Sequence, residues 1–219
     1  MIVAAILFTA AILLAGLLRA EAHGAPSRIL PFKTPLSLLF VTAWFLHAPR
    51  HPAFADLILA ALICCLLGDI LLAFQAPRMF LLGLISFLMG HAIYAAAFFL
   101  VGSTGAWMAM GMIVLGVSGV LIWRWLAPRL DKMVVPVLAY IVVISVMAAG
   151  AFGVAGNAAI PAPVRFSVLG GAVLFYLSDI FVARQRFVVN AAINRWAGLP
   201  LYYSAQFLLA LSAAWVPAG

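Results

Sequence analysis

The chain has 219 residues, of which 68% are hydrophobic and 8% are charged. This composition excludes a water-soluble domain of this size and is typical of a helical protein that crosses the bilayer several times. In a membrane protein the net charge of +7 indicates Lys and Arg in cytoplasmic loops, so we expect no nucleic acid as a partner. No polar stretch is long enough for a second domain, and we predict one transmembrane helical domain over 1–219.

Eight apolar segments follow one another, and most approach the roughly 20 residues needed to cross the hydrocarbon core. They are 1–18, 32–47, 54–74, 79–101, 105–126, 133–155, 164–183 and 195–216. The first has no basic residue before its apolar core, so we predict a retained span rather than a signal peptide. Short connections with proline or charged residues separate the segments. The sequence therefore predicts an all-α membrane protein with eight transmembrane helices.

The Lys and Arg residues fall mainly on one side of the predicted membrane. The loops after the odd-numbered segments hold ten of them: Arg19, Arg28, Lys33, Arg78, Arg124, Arg129, Lys132, Arg184, Arg186 and Arg195. The opposite loops hold only Arg50 and Arg165. The positive-inside rule makes the rich side cytoplasmic and puts both termini on the non-cytoplasmic side. The bias toward Ala, Gly and Arg is typical of bacteria with GC-rich genomes, so we expect a bacterial inner (plasma) membrane.

Two segments each carry an aspartate in the same local pattern. Residues 67–75 and 177–185 both read Leu-(Gly/Ser)-Asp-Ile-x-x-Ala-x-Gln, with Asp69 and Asp179 at the third position. A charge at membrane depth costs roughly 2.5–3.5 kcal/mol on insertion scales, so two matched carboxylates indicate a function. Each is predicted about 7 Å from the cytoplasmic end of its helix. We predict that they meet in one buried site; the alternative is a shared proton that only locks the fold.

The spacing of the two aspartates also predicts an internal repeat. The offset of 110 residues maps the first four segments onto the last four in the same orientation. This is the pattern of a parallel 4+4 repeat about an axis along the membrane normal. Such an axis brings the third and seventh helices face to face.

Two further segments carry polar side chains at helical spacing. His91 and Tyr94 share a face of the fourth segment, and Tyr202, Tyr203 and Gln206 cluster on the eighth. They are candidates for orienting the two aspartates or binding substrate. The alternative is that they form interhelical hydrogen bonds or pack without a chemical role.

Tyr140 and Lys33 complete the candidate set. Tyr140 is predicted about 10 Å into the sixth segment, and Lys33 at the cytoplasmic start of the second. Lys33 either binds a phosphate or carboxylate, or snorkels to the boundary as an ordinary positive-inside residue. The loop arginines are interpreted as topology signals. His91 is the only deep histidine, and the sequence contains no Cys/His cluster with metal-ligand spacing, so we expect no metal and no cofactor.

These residues resemble the YhhN family of eight-span membrane proteins, which includes the lysoplasmalogenases of animals. The resemblance covers nearly the whole chain. It rests on Lys33-Thr34-Pro35, Gly68-Asp69, the stretch from Phe87 to Tyr94, Ser178-Asp179 with Ala183, and the stretch from Tyr202 to Gln206. The family more often has Lys-Pro where this chain has Thr34 between the two. The resemblance implies hydrolysis of the vinyl-ether bond of a lysoplasmalogen, a lysolipid, to a fatty aldehyde and a glycerophospho-alcohol.

The candidate residues fit that chemistry. Vinyl-ether hydrolysis needs a proton at the alkene carbon, then water at the resulting oxocarbenium ion, as in glycoside hydrolysis. We predict Asp69 and Asp179 as catalytic: one keeps its proton and donates it, and the other stays charged and activates water. The sequence leaves open which is the acid. The substrate-binding or orienting candidates are Lys33, His91, Tyr94, Tyr140, Ser178, Tyr202, Tyr203 and Gln206. Lys33 together with a loop arginine is the candidate for holding the phosphate at the cytoplasmic boundary.

Three other functions fit parts of the pattern. A proton-coupled transporter or lipid flippase also pairs intramembrane carboxylates in a repeat, but it needs access from both sides. A non-catalytic lipid-binding protein would use the same pocket without turnover. An intramembrane aspartyl protease is disfavoured because the Gly-x-Gly-Asp pattern is missing. The sequence leaves the oligomeric state open.

Overall fold

The computed structural model describes residues 1–22, 24–46, 51–74, 76–213 and 216. Within these ranges every regular element is a helix, which confirms the all-α class. The α-helices are α1 Ile2–Glu21, α2 Pro26–Trp44, α3 Pro52–Leu72, α4 Pro77–Val101, α5 Ala106–Leu126, α6 Val134–Gly156, α7 Ala162–Phe187 and α8 Ala192–Ser212. Two single-turn 3-10 helices, Ala127–Arg129 and Asp131–Met133, connect α5 to α6.

Six of these helices, α1 and α3 to α7, are long and apolar enough to cross a membrane. The other two, α2 and α8, have 19 and 21 residues, or about 28 and 31 Å of helix. They are less apolar because they carry buried polar side chains, among them Lys33 and Ser37 on α2 and Asn194 and Gln206 on α8. The chain is an integral membrane protein whose two least apolar helices supply much of its polar interior.

Helix α2 begins earlier than predicted. The sequence predicts the apolar segment from residue 32, with Lys33 at its cytoplasmic start; the place of the membrane boundary along this helix stays a prediction. The helix starts at Pro26, whose missing N–H costs nothing in the first turn, and continues through Pro31 and Pro35. Lys33 therefore lies about two turns inside the helix and is only 6% exposed. The predicted end of this segment, at residue 47, lies outside the described residues.

The most extensive helix contacts follow a similar order in the two halves of the chain. Consecutive helices form the hairpins α1–α2, α3–α4, α5–α6 and α7–α8, and the contacts within α3–α4 and α7–α8 are the most extensive. Between the hairpins, α2 contacts α3 and α6 contacts α7; α8 contacts α2, and α4 contacts α6. Each of these contacts in the first half has a counterpart four helices later. The arrangement brings the polar faces of α2, α3, α7 and α8 toward the bundle interior.

Gly68, directly before Asp69, allows α3 and α4 to pack closely. A Cβ atom at this position would lie 2.6 Å from Cδ2 of Phe87. The Phe87 ring in turn packs edge-on against Tyr202 and Phe175, with centroid separations of 5.8 and 6.3 Å. The glycine therefore sets the position of an aromatic cluster beside the aspartate.

Gly68→Ala is expected to lower the free energy of unfolding by about 1–3 kcal/mol, because the added methyl group overpacks the contact with Phe87. Thermal unfolding of the detergent-purified protein measures the effect. Gly116→Ala is the matched control, since a Cβ there meets nothing within 4 Å and alanine favours the helix. Equal melting temperatures for the two variants would contradict the packing role of Gly68.

Candidate active site

A cavity of about 780 Å³ lies between the helices. It opens where α1, α3, α5 and α7 end and α8 begins, and apolar side chains of α4, α5 and α6 form much of its wall. Asp69 and Asp179 both line it. The structure therefore brings the two predicted carboxylates to one internal space, although they are 110 positions apart in the chain.

Asp69, on α3, has three donors around its carboxylate. Oδ2 accepts hydrogen bonds of 2.7 Å from Ser37 Oγ and 2.7 Å from the Tyr202 hydroxyl. Oδ1 lies 3.5 Å from Nζ of Lys33. The residue is 2% exposed, so these contacts replace the water that a buried carboxylate loses. This environment suits the ionised form, which accepts hydrogen bonds and donates none.

A chain of hydrogen bonds connects further side chains to Tyr202 and Ser37, the two hydroxyl donors of Asp69. The Tyr94 hydroxyl donates to Oε1 of Gln206 at 2.8 Å, and Gln206 Nε2 donates to the Tyr202 hydroxyl at 3.1 Å. The Tyr203 hydroxyl lies 3.3 Å from Oγ of Ser37. Of these side chains, Tyr202 lines the cavity, while Tyr94, Tyr203 and Gln206 are absent from its described lining. They fit residues that position Tyr202 and Ser37 rather than residues that contact a ligand.

Asp179, on α7, has fewer partners and more access. Its Oδ2 accepts a 2.6 Å hydrogen bond from the Tyr140 hydroxyl of α6. Nε2 of His91, on α4, lies 3.6 Å from the same oxygen. The Asp179 side chain is 17% exposed and that of Asp69 only 3%. Asp179 is therefore the carboxyl group that a molecule in the cavity reaches more easily.

The hydrogen bond at the other side of His91 fixes the orientation of its ring. Nδ1 lies 2.7 Å from the carbonyl oxygen of Phe87, which can only accept, so Nδ1 carries the hydrogen. In a neutral ring Nε2 then carries a lone pair. Within the described residues Nε2 has no hydrogen-bond partner, and the residue is fully buried. This nitrogen lies 3.6 Å from Oδ2 of Asp179, so a neutral ring offers the carboxyl group an acceptor.

Ser178 lines the cavity next to Asp179, but its hydroxyl donates to the carbonyl oxygen of Gly198 on α8 at 3.0 Å. In this structure it joins α7 to α8. No hydrogen bond links Asp69 to Asp179 in the part of the chain that is described. Each carboxyl group has its own partners, so the alternative of a proton shared directly between them has no support in this geometry.

Sequence reasoning missed Ser37. Its hydroxyl lies as close to Asp69 as that of Tyr202, at 2.7 Å. Ser37 follows Lys33 by four residues, so both lie on one face of α2. That spacing was a usable signal, but serine is common on helix faces and stood out less than a buried charge. Among the other predicted residues, Lys33, Tyr140, Ser178 and Tyr202 line the cavity, and His91 lies beside Asp179. Tyr203 and Gln206 reach Asp69 only through Ser37 and Tyr202, and Tyr94 reaches it only through Gln206 and Tyr202.

The structure is that of a polytopic membrane protein in which two carboxyl groups, each with its own partners, line one internal cavity. The chain belongs to the YhhN family, whose profile matches residues 28–213. It is 32% identical to Lysoplasmalogenase TMEM86A of Bos taurus over 167 residues, covering 74% of this chain and 67% of the relative. The corresponding values are 31% over 169 residues (74% and 67%) for TMEM86A of Homo sapiens, and 30% over 180 residues (82% and 72%) for Lysoplasmalogenase TMEM86B of Mus musculus. No solved structure gives a significant match.

Proposed function

We propose that this protein is a membrane-embedded hydrolase that cleaves the vinyl-ether bond of a lysoplasmalogen-type lysolipid to a fatty aldehyde and a glycerophospho-alcohol. Family membership and relatives named lysoplasmalogenases support the substrate class. The observation that carries the proposal is the pair of carboxyl groups on one cavity, one surrounded by donors and the other beside a buried histidine nitrogen.

Asp179 is the general acid in this proposal. Its Oδ2 already accepts from Tyr140, and the neighbouring Nε2 of His91 has a lone pair to offer. A proton on Asp179 satisfies this arrangement, because two acceptors otherwise face each other. The proton passes to the alkene carbon of the vinyl ether, and the adjacent carbon becomes an oxocarbenium ion. His91 and Tyr140 are positioning residues for this acid.

In this proposal the carboxylate of Asp69 stays negatively charged throughout the reaction. Three donors hold it ionised, and it stabilises the oxocarbenium ion through space. Water then adds to the cationic carbon and gives its proton to the Asp179 carboxylate, which restores the acid. The resulting hemiacetal collapses to the aldehyde and the free alcohol of the glycerol. Atoms and charges balance over the cycle, and no cofactor takes part.

The proposed topology has eight spans in a parallel 4+4 repeat, with both termini on the non-cytoplasmic side of a bacterial inner membrane. The matched helix contacts of the two halves support the repeat. The Lys- and Arg-rich loops support an inward-facing cavity mouth. Reporter fusions at the α3–α4 and α4–α5 connections test the orientation: only the former should report cytoplasm, and the reverse result would contradict it.

The direct test of function is incubation of the purified protein with lysoplasmenyl-ethanolamine, lysoplasmenyl-choline and the saturated ether analogue. Aldehyde release from the vinyl ethers only is the expected result. Release from the saturated ether as well would contradict acid-catalysed vinyl-ether cleavage. Uptake into proteoliposomes without any product would instead support transport.

Tyr140→Phe is expected to lower kcat/KM about 10-fold, because Asp179 loses a hydrogen bond to a carboxyl group worth about 1.5 kcal/mol. The aldehyde assay measures the change. Tyr176→Phe is the matched control, since its hydroxyl donates to Ser118 at 3.2 Å rather than to either aspartate. An equal loss in both variants would show that the Tyr140 hydroxyl has no special relation to Asp179.

A further inference from the structure

The mouth of the cavity carries charged side chains that the proposed chemistry does not use. Arg186 lines it from the last turn of α7, Asn190 from the α7–α8 connection and Arg195 from the first turn of α8. Glu21 lines it from the end of α1. From the sequence the loop arginines are mainly topology signals, and the one that joins Lys33 at the phosphate is left open. The place of Arg186 and Arg195 on the cavity wall distinguishes them from Arg78 and Lys132, which are exposed on the same predicted side and lie outside the described lining.

Both arginines are held in place without being neutralised. The guanidinium carbon of Arg186 lies 4.3 Å from the centroid of the Phe80 ring, which also lines the cavity. Arg195 donates from Nη1 to Oδ1 of Asn190 at 3.0 Å. Neither has a carboxylate within 4.0 Å among the residues described. Two anchored guanidinium groups with free N–H donors on one opening form a site suited to a phosphate.

The spacing along the helices matches the length of a lysolipid. Arg186 follows Asp179 by seven residues on α7, and Arg195 precedes Tyr202, a donor to Asp69, by seven residues on α8. Each interval is about 10 Å along the helix axis. About seven bonds separate the phosphorus of a lysoplasmalogen from the vinyl carbon that takes the proton, which is about 8 Å when extended. A phosphate at the mouth thus puts the vinyl ether beside the aspartates.

We propose that the cavity mouth is a headgroup subsite in which Arg186 and Arg195 bind the lysolipid phosphate and Glu21 attracts the headgroup amine. This inference rests on the proposed function, because it names how that site recognises its substrate. Asn190 orients Arg195, and the apolar wall beyond the aspartates takes the alkenyl chain. Lys33, paired with Asp69 inside the helix bundle, is not the phosphate ligand.

Binding of non-hydrolysable lipids tests the subsite without depending on turnover. The probes are the saturated ether lipid alkyl-glycerophosphoethanolamine, the same lipid without its amine, alkylglycerol without a phosphate, and inorganic phosphate. The double variant Arg186→Gln/Arg195→Gln is compared with Arg78→Gln/Lys132→Gln, which removes the same charge from exposed positions. Affinities are measured calorimetrically in detergent, and thermal unfolding checks that all variants are folded.

The expected result is a loss of about 30-fold or more in affinity of the Arg186/Arg195 variant for both phosphate-bearing lipids, with alkylglycerol binding unchanged. The Arg78/Lys132 variant should match wild type. Glu21→Gln should weaken only the amine-bearing lipid, by about 3-fold, as for a solvent-accessible ion pair. Equal losses for alkylglycerol, equal losses in the control variant, or arginine-dependent binding of inorganic phosphate alone would overturn the subsite.

The two proposals fail separately. If the lipids bind with the expected arginine dependence and no aldehyde is ever released, the subsite stands and the hydrolase proposal fails. If aldehyde is released and the Arg186/Arg195 variant keeps the wild-type KM, the hydrolase stands and the subsite fails.

Discussion

Asp179→Asn is expected to lower kcat for lysoplasmenyl-ethanolamine roughly 10²- to 10⁴-fold, the usual contribution of a general acid. An amide at this position keeps the shape and the Tyr140 contact but has no proton to give to the alkene carbon. Aldehyde release under saturating substrate measures kcat. Binding of the saturated ether analogue is expected to change little, because the variant removes chemistry rather than the cavity.

Asp56→Asn is the matched control, since Asp56 is exposed near the start of α3 and outside the described cavity lining. It should retain wild-type turnover. Asp179→Glu provides a second comparison, because it keeps an acid with a displaced proton and should keep part of the activity. A value of kcat for Asp179→Asn within about 3-fold of wild type would rule out Asp179 as the acid.

The two aspartates could be picked out from the sequence more readily than the limits of the helices. Asp69 and Asp179 stood out because a carboxylate in an apolar segment is costly, and the matched patterns around them predicted that they share a location. The start of α2 was missed because prolines and charges resemble a loop in a one-dimensional pattern. In the folded protein Arg28 stays exposed, while Lys33 is buried and pairs with Asp69 of α3, and the helix continues through both.

The partners of each carboxyl group could not be predicted from sequence. Ser37 and Tyr202 are 32 and 133 positions from Asp69, and nothing local says which side chains meet across the bundle. For the same reason the unequal roles of the two aspartates appear only in three dimensions. Arg186 and Arg195 could not be singled out among the loop arginines, because the positive-inside pattern explains the charge of all of them and only the structure shows which ones line the cavity.

Asp69→Asn is expected to lower kcat about 10²- to 10³-fold, the size of effect seen when one preorganised electrostatic contact to a transition state is removed. The amide cannot stabilise the oxocarbenium ion as a charge does. The substitution also leaves the ammonium group of Lys33 buried without its carboxylate. Losing one partner of a buried ion pair costs about 3–5 kcal/mol of stability, so lower activity alone does not separate catalysis from folding.

The double variant Asp69→Asn/Lys33→Met makes that separation. Removing both charges takes away the uncompensated ammonium group, and replacing a buried pair with neutral side chains is often neutral or stabilising. The free energy of unfolding, measured by thermal denaturation, is therefore expected to return to within about 1 kcal/mol of wild type. Turnover is expected to stay as low as in Asp69→Asn, because the negative charge facing the cavity is still missing. If turnover recovers together with stability, Asp69 and Lys33 serve the fold, and the charge that stabilises the cation must come from elsewhere.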